Sequence, residues 1–261
     1  MKTEKISVSD ININFDFSTD CRYWNDFWTR NNGLGSGETD PDSMSATLRQ
    51  YHQALWSKPL PNGRPFALDF GGSSDYLRFG DIRLSSDSIT TEFRYNSYRS
   101  MIETIESQIP DYKKWMEQII RNGYTIGGMI IFPSHRNSIN GMRGINKMIC
   151  DRWDLTLECI KRYYEGVVDI KDNPLGWVLE SDKAFFDLFD DFRGYVDFFF
   201  LQDCVTDDYS SVKMWIPTEP FEKTNPLPSS VDEYMKWVEE TRLFVKNRNN
   251  RILNYIKSKT I

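Results

Sequence analysis

The segment "YTIGGMIIFPS", residues 124 to 134, constrains this chain more than any other stretch. It is β-prone, apolar and bounded by turn residues, which makes it the strongest strand signal present. Its Gly127-Gly128 pair marks a bulge or a close approach by another piece of backbone. The strand runs into "SHRNSINGMRG" and then "INGMRGINKMICDRWDLTLECIKRYY", residues 139 to 164, which reads as a long helix. Ile145, Ile149, Trp153 and Leu157 recur at four-residue spacing, followed by Ile160 and Tyr164, and form an apolar stripe. A strand feeding a helix is the junction around which the rest is arranged.

Other elements follow from pattern. "ISVSDININFDF" alternates Ile11, Ile13, Phe15 and Phe17 with polar residues and predicts a half-buried strand. Residues 30–43 are rich in turn formers and predict a flexible loop. Its end leads into "DPDSMSATLRQYHQALW", a helix capped by Asp42, Ser43 or Ser45. A strand begins at Phe66, and two short strands flank Gly80-Asp81. "SYRSMIETIESQIPDYKKWMEQIIRNG" predicts helix interrupted at Pro110 and stopped by Gly123. "SDKAFFDLFDDFRGYVDFFFLQD" gives a helix pair split at Gly194, and "SVKMWIP" a late strand. A closing amphipathic helix spans 230–258, basic towards its end. Strands and helices alternate without a βαβ rhythm. The expected class is α+β, one domain over 1–261 with a small mixed or antiparallel sheet and packed helices.

Composition narrows the function. Of 261 residues 39% are hydrophobic, and 17 Phe, 13 Tyr and 8 Trp exclude a disordered chain while leaving rings for stacking on a flat ligand. A net charge of −6 excludes broad nonspecific nucleic-acid binding, so a nucleic-acid substrate would need a local basic cleft. Cys21, Cys150, Cys159 and Cys204 form no CxxC, and His52 and His135 are the only histidines, so no structural zinc is expected. The N-terminus lacks an apolar signal region and no run is long enough to span a bilayer; a cytoplasmic protein with no membrane partner is expected.

P-loop, HExxH, GxSxG and EF-hand patterns are absent. "GLGSG" reads as a flexible loop, with phosphate cradling as the alternative. Asp151, Asp154 and Glu158 fall on one helical face, either as salt-bridged surface or as catalytic carboxylates. His135, Arg136, Asn137, Asn140 and Arg143 cluster where strand meets helix, a pattern suited to phosphate. His52 reads as a satisfied semi-buried histidine or a base. Lys58, beside Ser57 in the rigid "WSKPLP" turn, reads as surface or functional. "LSSDS", residues 84–88, reads as a helix cap made by Ser86 or Asp87, or as a ligand turn. Asp203, Asp207 and Asp208 read as solvated loop acids, with no metal assigned.

The stretches "DPDSMSATLRQYHQALWSKPLPNG", "YTIGGMIIFPSHRNSINGMRGINKMICDRWDLTLECIKRYY" and "FRGYVDFFFLQDCVTDDYSSVKMWIP" resemble an uncharacterised bacterial family, a domain of unknown function, over residues 10 to 255. Arg22 to Gly37 looks like an insertion relative to it. "YHQALWSKPLPNG" followed by "LRFGDIRLSSDSIT" also resembles the order of elements in ADP-ribosyltransferases. That second resemblance implies an ADP-ribosyltransferase-like fold and NAD as substrate. It implies that Lys58, Ser57, Ser85 and Ser86 line the cleft, that Arg136, Asn140 or Arg143 hold phosphate, and that Glu158 is the acid. A carboxylate would stabilise the oxocarbenium-like centre formed as the glycosidic bond breaks. The pattern departs at the first strand, which offers no clear His or Arg, and at Glu158, which falls on a helix.

The expectation is an NAD-dependent transferase that modifies a macromolecule such as RNA or DNA, acting as a toxin held by an antitoxin or as a phage-defence effector. The alternatives are a metal-independent ribonuclease using His52 or His135, and a non-enzymatic partner-binding protein. The enzymatic expectation requires the residues after Leu84 and after Pro133 to face each other across one hollow.

Overall fold

The computed structural model describes residues 5–21, 40–71, 76–89, 103–222 and 226–259. Four strands form one antiparallel sheet in the order β1 (Asp69–Phe70), β2 (Leu77–Phe79), β3 (Ile82–Ser88) and β4 (Met129–Pro133). The turn between β2 and β3 uses Gly80 at φ +56°, the left-handed region that glycine enters without penalty. β3 pairs with β4 from Leu84↔Pro133 to Ser88↔Met129, whereas its pairing with β2 ends at Leu77↔Leu84. The stretch Ser85–Ser88 is therefore open on one side, and Asp42 fills it by accepting from the Ser88 N–H at 3.0 Å.

Helices surround the sheet: α1 (Pro41–Met44), α2 (Ala46–Trp56), α3 (Tyr112–Gly123), α4 (Ile139–Ile145), α5 (Trp153–Tyr164), α6 (Gly176–Ser181), α7 (Lys183–Phe186), α8 (Phe192–Phe198) and α9 (Val231–Lys259). The class is α+β, as expected. Asp40 caps α1, and Ser45 caps α2 by accepting from the Leu48 N–H. Every residue of β4 is buried although it ends the strand order. The 29-residue helix α9 covers it: Arg248 donates from Nη1 to the carbonyls of Gly127 at 2.9 Å and Met129 at 2.7 Å. The close approach expected at Gly127 is made by α9 itself. A Cβ on Gly127 would stand 2.6 Å from the Val245 carbonyl oxygen and 2.7 Å from Asn249.

Aromatic rings dominate the core beneath α8. Phe189, Tyr195, Phe198 and Phe199 interlock at centroid separations of 5.0 to 5.4 Å, and Trp56 meets Phe199 edge-on at 5.1 Å.

Several expectations are corrected. Residues 6–17 form no strand: Val8–Asp10 and Phe17–Asp20 are 3-10 turns. The polar residues of the alternation bond their own backbone instead, Ser7 with Asp10 in a capping box and Asp16 with Ser18. The helix expected over 139–164 is two helices, because Cys150 and Asp151 adopt φ of +49° and +65°. Ile145 consequently leaves the buried stripe and is 69% exposed. "LSSDS" is strand β3, neither turn nor helix cap. The break before α8 falls at Asp190, φ +64°, and Gly194 lies inside the helix, its N–H taken by the Asp191 side chain. "SVKMWIP" contributes a single bridge, Val212 to Val205. Of the loop expected over 30–43, positions 30–39 lie outside the described residues, as does the stretch Arg22 to Gly37, and Pro41–Met44 is helical.

Candidate functional site

The segments after Leu84 and after Pro133 do meet, but their side chains close the space between them. Asn140 donates from Nδ2 to Ser85 Oγ at 2.7 Å and to the Ser86 carbonyl at 3.3 Å. Arg143, wholly buried, donates from Nη1 to Asp87 Oδ2 at 2.8 Å and the Ser88 carbonyl at 2.9 Å. It further donates from Nε to Thr156 Oγ1 at 3.2 Å and from Nη2 to the Asp151 carbonyl at 2.9 Å. A guanidinium committed in this way joins β3, the 146–152 turn and α5, and has no face left for phosphate. Burial pushes the Asp87 carboxyl up to about 7; Arg143 opposes this, while Asp151 and Asp40 add to it.

Ser86 faces the other side of β3. Trp56 Nε1 donates to His52 Nδ1 at 2.8 Å, which leaves the ring proton on Nε2, and that N–H reaches Ser86 Oγ at 3.0 Å. Burial, reinforced by Arg248, lowers His52 to about 3. The reading of His52 as a satisfied histidine fits this geometry, with burial complete.

The remaining candidates lie elsewhere. Glu158 pairs with Arg162 Nε at 2.8 Å. It follows Thr156, which touches Arg143, by two residues, or about 200° around α5, so it points away from the β3 cluster. Ser57 is exposed and accepts from the Leu68 N–H at 3.2 Å. Lys58 is buried among rings, with Nζ 3.7 Å from the Phe200 centroid. Arg136 is exposed and without a partner among the described residues. Asp203 binds Arg251 through two contacts, at 2.6 and 3.0 Å. Asp208 is held at about 2 by the Thr206 hydroxyl, the Ser210 N–H and the Ser210 hydroxyl.

An open groove runs along α9 and is absent from the expectations above. It has a volume of about 520 Å³. Its floor is formed by Ile119, Trp237, Val238, Thr241 and Val245, all buried. Its rim carries Asn14, Asn122, Arg242, Lys246 and Asn250, all exposed. The N-terminal segment forms one wall because Phe17 N–H bonds the Tyr124 carbonyl at 3.0 Å, and Arg121 bonds Asp16 at 3.2 Å and Ser18 at 2.9 Å. Asn249 supports the floor, accepting from Gly127 N–H at 2.8 Å and donating to Thr125 Oγ1 at 2.9 Å. Arg242 and Lys246, one turn apart on α9, have no ion-pair partner among the described residues, and the side-chain amides of Asn14, Asn122 and Asn250 have no hydrogen-bond partner among them. Glu239 is the single carboxylate in the lining among the described residues. The available sequence signal was "TRLFVKNRNN", where cations and amides recur at helical spacing.

The fold is thus an α+β class in which one long helix covers the β4 edge of a four-stranded sheet and borders a groove. The chain belongs to DUF6994, a family of unknown function, whose model matches residues 11–252. No curated protein and no solved structure matches the chain. Among the described residues, no helix is long and apolar enough to cross a membrane.

Proposed function

We propose that this protein binds an anionic small molecule of the nucleotide class in the α9 groove. The observation that carries the reading is the pairing of an apolar floor with a rim of uncommitted amides and two uncommitted cations, Arg242 and Lys246. Ligand pockets are mostly apolar with a few well-placed polar groups that fix orientation. A nucleotide matches each part: the base covers Val238 and Val245, ribose hydroxyls meet the amides of Asn14, Asn122 and Asn250, and phosphate meets Arg242 and Lys246. NAD, which the sequence resemblance implies, is the first ligand to try. Thermal unfolding of the full chain with NAD, AMP or inorganic phosphate tests it. A rise in Tm with NAD and AMP that grows with their concentration is expected; no rise at millimolar nucleotide contradicts it.

A second reading keeps chemistry at β3, and one observation favours it. Ser85 and Asp87 lie on one face of β3, both only partly buried, and are contacted there by Asn140 and Arg143. In this reading the protein is an ADP-ribosyltransferase effector with Asp87 taking the acid's role first given to Glu158, and its macromolecular target and antitoxin belong to the same proposal. Incubation with labelled NAD and cellular RNA, DNA and protein separates the two readings. Label transfer abolished by Asp87→Asn supports chemistry at β3, whereas intact NAD alongside saturable binding supports the binding role.

A further inference from the structure

Lys58 leaves the turn after α2 and turns inward. Its Nζ stands 3.7 Å from the ring centre of Phe200, 4.6 Å from Phe198, 5.1 Å from Tyr255 and 5.4 Å from Trp56. Four rings from three separate parts of the chain thus converge on one amine. Phe200 reaches it from a left-handed backbone, φ +57°. No carboxylate pairs with Nζ and no hydrogen bond reaches it among the described residues. The residue keeps 9% of its surface exposed. Burial holds this amine well below the ordinary lysine range. Among charged neighbours, Arg248 on α9 lowers it further, Asp197 on α8 opposes, and Lys259 on α9 lowers it again. Asp197 is itself occupied by Gln202 at 2.8 Å and Tyr209 at 2.6 Å.

A lysine desolvated by apolar walls and set near another cation is the arrangement that favours the neutral amine over the ammonium. We propose that Lys58 is a covalent amine site for a small carbonyl compound, walled by Phe198, Phe200, Tyr255 and Trp56. The neutral Nζ attacks the carbonyl carbon; a C–N bond forms while the C=O π pair moves to oxygen. A proton passes from nitrogen to that oxygen, giving a carbinolamine. Loss of the hydroxyl with the remaining N–H proton releases water and leaves a C=N bond. The step consumes no oxidant or reductant. The rings suit the product as well, because a protonated imine is a weakly hydrated cation of the kind that aromatic faces hold. The α9 groove plays no part in this site, which has its own walls and its own ligand class.

The alternative is an amine held permanently as ammonium by the same rings, and labelling decides between them. The full chain is exposed briefly to dilute glycolaldehyde with cyanoborohydride, which reduces any imine to a stable secondary amine, and modified peptides are quantified. An amine in water gains about tenfold in neutral fraction per pH unit below its pKa. Lys58 is expected to label at least tenfold faster than the exposed Lys213 and Lys257 at pH 7, with its advantage shrinking as pH is raised to 9. Unfolding the chain in guanidinium should erase the advantage. Labelling of Lys58 equal to or slower than that of Lys213 and Lys257, or an advantage that survives unfolding, overturns the proposal.

Discussion

Arg143 Nη1 stands 2.8 Å from Asp87 Oδ2, and no part of Arg143 reaches solvent. The contact joins α4 to β3, and the same guanidinium holds the Asp151 carbonyl and the Thr156 hydroxyl. Two further arginines work in the same manner. Arg152 is wholly buried against Asp154, Thr218 and the Pro226 carbonyl, and Arg248 against three carbonyls of Phe199, Gly127 and Met129. Each joins stretches that are distant in sequence. The fold therefore uses these buried arginines as cross-ties, while Arg242 and Lys246 at the rim of the α9 groove have no ion-pair partner among the described residues.

Replacing Arg143 by Met should destabilise the protein by about 3–5 kcal/mol, because the buried bonds that tie Asp87, Ser88, the Asp151 carbonyl and Thr156 together are lost at once. Arg143→Lys should recover little of the loss, since one ammonium cannot reach β3, the 146–152 turn and Thr156 together. Urea unfolding of the two variants beside the parent measures both effects.

Asp87 gives the stability curve an unusual slope. Its folded value, about 7, is raised above the ordinary carboxylate value of 3.8, so the folded chain holds a proton that the unfolded chain releases. Its contribution to stability is full below about pH 4 and is lost as pH rises through 7. Asp87→Asn should flatten the curve between pH 5 and 7.5. Denaturation midpoints across that range test the sign.

His52 acts in the opposite direction. Its folded value, about 3, is depressed below 6.5, so the unfolded chain takes up the proton first and stability falls as pH drops from about 6.5 towards 3. In NMR spectra the His52 ring signals should stay those of the neutral Nε2–H tautomer down to pH 4.5. A titration midpoint near 6.5 would show that the Trp56–His52–Ser86 chain is not closed as described.

Gly127→Ala should cost about 1–3 kcal/mol, since the added methyl meets the Val245 carbonyl and Asn249 with no room to withdraw. Gly141→Ala, where nothing lies within 4 Å, serves as the control and should be neutral or slightly stabilising. Thermal unfolding compares the pair.

The sequence disclosed the elements whose signals are local. β4 is a continuous apolar run, α9 a long amphipathic repeat, and Gly127 could be read as a contact because a paired glycine in a strand has few other uses. It misled where a side chain's hydrogen bonds to nearby backbone override the periodicity. Ile145 to Tyr164 has helical periodicity throughout, yet the bonds from Arg143 to Asp151 set a turn in its middle. Ser7, Asp10 and Asp16 occupy the polar positions of a strand pattern but bond their own neighbours. Of the site candidates, Ser85, Asn140 and Arg143 do assemble, because β3 and β4 are sheet neighbours and α4 follows directly, while the Ser86 side chain faces His52 on the other side of β3. Glu158 and Lys58 do not join them, since their directions depend on helix phase and on the ring cluster around α8. The α9 groove was out of reach, because it needs the N-terminal segment, α3 and α9 side by side.

Calorimetric titration of the full chain with NAD and with AMP, repeated on an Arg242→Ala/Lys246→Ala variant, bears most directly on the α9 groove. Saturable binding of both nucleotides is expected, at least tenfold weaker in the double variant and weaker for the parent as salt is raised, with Glu158→Gln binding as the parent does. Nucleotide affinity that is absent from the folded parent, or that is unchanged in the double variant, contradicts the account.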